Sequence, residues 1–82
     1  MFTELNTQDK VVGAKQVKRA LSKSEVQTVF IARDAEKKVT EEIEDLCNSK
    51  EVVVRYIDTM EELGEACGID INAAVAALLN KN

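Results

Sequence analysis

Ala73-Ala74-Val75-Ala76-Ala77-Leu78-Leu79 is the longest apolar run in the chain, and its residues admit two readings. Four alanines in seven positions favour a helix on intrinsic propensity. The shortness of the run and its lack of a polar face suit a central strand buried on both sides equally well, and periodicity does not separate the two. As a strand it would join a sheet whose other members lie upstream.

Reading back from this run, Thr59-Met60-Glu61-Glu62 is a capping box, with Thr at the N-cap and Glu at the third helical position. A short helix starts there and is expected to stop at Gly64 or Gly68. Val52 to Ile57 is rich in β-branched residues and reads as a strand, preceded by turn-like Asn48 to Lys50. Asp34 is a candidate N-cap for a longer helix in which Val39, Ile43, Leu46 and Cys47 recur on one face, with charged residues filling the other. Val26 to Ala32 reads as a largely buried strand. Lys10-Val11-Val12 is a brief strand that ends at Gly13, a residue able to make the sharp turn into a following helix. Phe2 to Leu5 could form a helical turn. Alternating strands and helices predict an α/β layered domain whichever way residues 73–79 go.

The helix after Gly13 has two distinct flanks. At about 100° per residue, Lys15, Lys18 and Arg19 share one sector, while Ala14, Val17, Ala20 and Leu21 recur at core-facing spacing. The whole chain has 82 residues and a formal net charge of −4, which by itself opposes binding to a polyanion. The distribution is uneven: residues 10–23 hold five cations and no acid, whereas residues 24–82 hold six cations against thirteen acids.

Composition excludes several function classes. A chain this short can bury only roughly 60% of its unfolded surface, so one domain spanning residues 1–82 is expected. The chain contains no histidine, which removes the commonest neutral-pH general base and the commonest nitrogen ligand for zinc. Its two cysteines, Cys47 and Cys67, lack metal-ligand spacing and read as free core thiols. No metal and no cofactor is expected. With a mostly polar Met1 to Lys10 and no apolar run near the ~20 residues that span a bilayer, a cytoplasmic protein without a membrane partner is expected.

Three segments, taken in order, resemble the kink-turn RNA-binding family of ribosomal and ribonucleoprotein core proteins, and in particular its small bacterial YbxF-like members. They are Gly13 to Leu21, Ile31-Ala32-Arg33-Asp34-Ala35-Glu36, and Leu63-Gly64-Glu65-Ala66-Cys67-Gly68-Ile69. The resemblance implies a three-layer α/β/α sandwich with a four-stranded mixed sheet, which would make residues 73–79 a strand. It implies a non-enzymatic protein, expected to be a monomer. Its partner would be structured RNA rather than DNA: a kink-turn in ribosomal RNA, a riboswitch or another regulatory RNA, bent at tandem sheared G·A pairs.

The resemblance also assigns the site. Gly13 opens the helix that would enter the groove beside the G·A pairs, Lys15 and Gln16 match the positions that contact the guanines, and Arg19 matches a basic position able to bind phosphate. Glu36 matches an acidic position near a flipped-out nucleotide, and Glu65, Ala66, Cys67, Gly68 and Ile69 match a loop that packs on it. Glu65 stands where many relatives carry Lys or Arg, and Lys37 where proline is frequent. Two rival readings remain: an interaction module that docks a basic partner through the acidic helix from Glu36 to Asn48, and a thiol enzyme using Cys67. The second lacks a histidine base and has Glu65 two positions away.

Overall fold

The computed structural model describes residues 9–69 and 71–80. Its elements follow the chain as strand β1 (Lys10–Val12), helix α1 (Ala14–Ser22), β2 (Val26–Ala32), α2 (Lys37–Lys50), β3 (Val53–Ile57), α3 (Met60–Cys67) and β4 (Val75–Leu79). The expected turn at Phe2–Leu5 lies outside the described residues. The four strands form one sheet in the order β1-β4-β2-β3. β4 runs antiparallel to both of its neighbours, and β2 runs parallel to β3.

Val75–Leu79 of the apolar run is therefore a central strand, with Ala73 and Ala74 leading into it. Alanine has little intrinsic preference for a strand, but both faces of β4 are covered and burial overrides propensity. Val75 and Ala77 face one core with Val17, Leu21, Val29, Ile31, Ile43 and Cys47 of β2, α1 and α2. Ala76 and Leu78 face a second core with Phe30, Leu63 and Cys67. The layers are thus α1 and α2, then the sheet, then α3. The small Ala76 and Ala77 side chains, both fully buried, let helices approach the middle of the sheet from both sides.

Two expectations are corrected. Asp34 does not cap α2: the N-cap residue is Glu36, which makes no side-chain cap bond. Residues 33–36 form a turn that leaves Asp34 two positions too early, and its Oδ1 accepts the N–H of Met60 at 2.8 Å. It thus ties the end of β2 to the N-terminus of α3, where the helix dipole favours a carboxylate. Residues 48–50 are not a turn either, because α2 continues through Lys50 and ends at Glu51.

The Thr59 half of the capping box forms, its Oγ1 accepting the Glu62 N–H at 3.0 Å, while the Glu62 carboxylate accepts from the Thr59 hydroxyl at 3.2 Å. α3 runs past Gly64 and stops at Gly68, which adopts the left-handed conformation at φ 77°. Glu51 ends α2 the same way, at φ 59°, with the Val52 N–H bonded back to the Cys47 carbonyl at 2.9 Å. A side chain there strains the backbone while glycine does not. Glu51→Gly is expected to stabilise the fold by about 0.5–1 kcal/mol, less the extra entropy glycine adds to the unfolded chain. Urea unfolding should give a higher midpoint at unchanged slope.

Candidate nucleic-acid interface

β1, β2 and β3 point the same way and β4 opposes them, so four connections meet at one end of the sheet. These are the turn at Gly13, the turn at residues 33–36, the turn at residues 58–59, and the segment entering β4. The strand order sets the segment before β4 between the Gly13 turn and the 33–36 turn. Backbone bonds fasten them: Gly13 N–H to the Val75 carbonyl at 2.9 Å, Ala32 N–H to Ala74 at 2.9 Å, Arg33 N–H to Ile57 at 2.8 Å, and Ala73 N–H to Met60 at 3.1 Å. The C-terminal ends of parallel strands are where open α/β sheets commonly bind ligands.

On one side of this end stands α1. Gly13 is half-buried at φ 101° and ψ 149°, a conformation essentially reserved for glycine, and it turns the chain from β1 into the helix. No side chain caps α1 and its first turn carries no acid, so the positive end of the helix dipole is left uncompensated by carboxylates. Val17, Ala20 and Leu21 are buried against the sheet, while Lys15, Gln16 and Arg19 are exposed. Lys15 and Arg19 are one turn apart, about 6 Å along the axis. Among the described residues neither forms an ion pair. Lys18 differs, because its ammonium lies 2.6 Å from Glu42 of α2. That hydrogen bond and charge hold the Glu42 carboxyl below its ordinary range.

On the other side is the turn of residues 33–36, where Glu36 is exposed at the start of α2. Between the two lies the segment after α3. Here the expected loop is corrected, because Glu65, Ala66 and Cys67 are the last residues of α3. The Cys67 side chain is buried and Ala66 is half-buried against the same core, so their side chains face inward. Only Gly68 and Ile69 begin the loop itself. Glu65 is exposed, and together with Glu61, Ile69, Ile71 and Asn72 it lines a recess of about 230 Å³. Ile71, 70% exposed, was not singled out by sequence pattern. Its only local signal is an isolated large aliphatic side chain among Asp70 and Asn72.

The thiols offer no nucleophile. Both are free and buried. Burial, with Glu44 adding to it, pushes the Cys47 thiol up to about 11. Burial also raises that of Cys67, opposed by nearby Lys10. Both stay protonated near neutral pH, and a protonated thiol is a poor nucleophile. No group of His, Cys, Asp or Glu among the described residues could hold a metal ion, and no helix among them is long and apolar enough to cross a membrane.

A three-layer α/β/α domain with an exposed, cationic helix N-terminus beside a loop that carries Ile69 and the exposed Ile71 is the class that fold and site define. The sequence profile of the Ribosomal protein L7Ae/L30e/S12e/Gadd45 family matches residues 3–82, and the chain belongs to this family. An RNA-binding protein of Caldanaerobacter subterraneus subsp. tengcongensis is 50% identical over 68 residues, which cover 83% of each chain. The RNA-binding protein YbxF of Geobacillus stearothermophilus is 39% identical over 69 residues, covering 84% of each. The fold is also that of a Giardia lamblia 15.5kD RNA binding protein, with a TM-score of 0.88 at 22% identity over 99% of this chain and 69% of that one.

Proposed function

We propose that this chain is a non-enzymatic RNA-binding protein that recognises kink-turns through the end of the sheet described above. The observation that carries the reading is the exposed Lys15-Gln16-Arg19 flank on a helix without an acidic or capped first turn, set beside the segment entering β4. Relatives that are 50% and 39% identical bear the description RNA-binding protein, which supports it from outside the structure. Two of the acids on α2 are engaged within the molecule, Glu42 by Lys18 and Glu44 by Tyr56, which weighs against docking of a basic partner there.

A regular A-form helix closes its major groove to side chains, so a protein of this kind needs RNA whose groove has been opened by a bend. α1 enters that groove N-terminus first. Gln16 offers both a donor and an acceptor to base edges, Lys15 adds a point charge, and Arg19 takes a phosphate with its planar fork. Glu36 and the Gly68–Ile69 loop flank the flipped-out nucleotide on the other side. Binding favours the bent RNA over the extended one, and the protein, acting as a monomer, thereby shifts the RNA population toward the bend.

Gel-shift titration against an RNA with tandem G·A pairs tests this directly. Equal affinity for the same RNA with those pairs replaced by Watson–Crick pairs would sink it. Arg19→Ala is expected to weaken binding roughly 5- to 10-fold and to lower the slope of log affinity against log salt by about 1. A slope identical to the wild type across the salt series would remove Arg19 from the contact.

A further inference from the structure

Arg33 and Tyr56 form a cation-on-ring pair at the same end of the sheet, and nothing in the reading above uses them. Tyr56, on edge strand β3, is 41% exposed. Its register beside Ile31 turns it toward the face covered by α2. There its hydroxyl donates to Glu44 at 2.5 Å, a bond that orients the ring and raises the tyrosine's pKa. The Arg33 guanidinium carbon lies 5.1 Å from the ring centroid, and Nε reaches Asp58 at 3.4 Å. The Arg33 side chain is nevertheless 62% exposed. A recess of about 210 Å³, bounded by Ala32, Thr40, Glu44 and this pair among others, opens beside it.

Two planar groups that are held by partners and still open to solvent are what RNA-binding proteins offer to unstacked bases. The neighbouring carboxylates of Glu44 and Asp58 repel phosphate, so the group that can approach is a base. Arg33 follows β2 directly and stands three residues before Glu36, which puts the pair next to the proposed contact surface. We propose that Arg33 and Tyr56 form a stacking platform for an unpaired nucleotide of the bound RNA, outside the tandem G·A pairs. The platform rests on the RNA-binding reading above. It takes any base, since every base has a π-face.

The test places 2-aminopurine in turn at each unpaired position of the G·A-pair RNA and follows its fluorescence on titration with wild type, Arg33→Ala, Arg33→Lys and Tyr56→Phe. One position besides the flipped-out nucleotide beside Glu36 should change its emission with wild type. Arg33→Ala should abolish that change and weaken binding about tenfold. Arg33→Lys, which keeps the charge and loses the plane, should behave as Arg33→Ala does, while Tyr56→Phe keeps the ring and stays within about twofold. Full affinity of Arg33→Lys would make the contact one of charge and overturn the platform. So would unchanged affinity of Arg33→Ala while the wild type still discriminates G·A pairs. Failure of the wild type to discriminate would overturn the kink-turn reading and the platform together.

Discussion

Gly64→Ala is expected to cost this protein about 3 kcal/mol or more, from one added methyl group. Gly64 is buried inside α3, and a Cβ built there overlaps the Ile71 carbonyl oxygen and comes within 3.3 Å of the Asn72 Cα. These are backbone atoms, so no rotamer change relieves the clash. Either α3 lifts off the sheet, or the segment entering β4 moves outward. The first exposes Leu63 and Cys67, now buried. The second displaces Ile69 and Ile71 from the proposed RNA surface. A domain of this size has roughly 5 kcal/mol of stability in total. Urea unfolding followed by circular dichroism should show the midpoint reduced by more than half, and whatever remains folded should bind G·A-pair RNA more weakly. A loss under about 1 kcal/mol with unchanged RNA affinity would mean that the segment yields freely, against the packing described.

Phe30→Ala is expected to be as costly and yet to leave the RNA surface alone. Phe30 is fully buried on β2, opposite Ala76 of β4 and Arg55 of β3, in the core beneath α3. Several of its companions are already small, namely Ala32, Ala73 and Ala76, and cannot reach into the space a lost ring would leave. The lost transfer energy and the unfilled cavity together come to about 3–5 kcal/mol. Phe30→Leu, which keeps most of the volume, should cost under about 1.5 kcal/mol. Calorimetry on both variants gives the stability ranking. RNA titration of Phe30→Leu should match the wild type, because no atom of residue 30 reaches the surface. A large affinity loss in that variant would mean that the core sets the geometry of the interface more tightly than the packing implies.

Features governed by residues within about one helical turn were legible in the sequence. The Thr59 cap, the α1 faces and the strand at Val26–Ala32 formed as their local patterns predict, because each depends on side chains a few positions apart. Asp34 was misread for the same reason: an N-cap residue is chosen by local chemistry, and its partner, Met60, is 26 positions away. Of the two stops the sequence offers for α3, Gly64 and Gly68, the structure takes the second, so the helix runs four residues longer than a stop at Gly64 would allow and carries Cys67 inward. Ile71 and the Arg33–Tyr56 pair were invisible beforehand, since exposure and stacking arise only when separate connections are brought to one end of the sheet.

The sequence by itself determined the alternation of strands and helices, the turn at Gly13 and the inward and outward faces of α1. Only the tertiary structure decided what Ala73–Leu79 become. As residues they admit a helix or a strand, and Val75–Leu79 form a strand because β1 and β2 supply backbone partners on both edges while helices cover both faces. Pairing between distant segments leaves no period in either segment, which is why the central strand of the sheet was the element its own residues specified least.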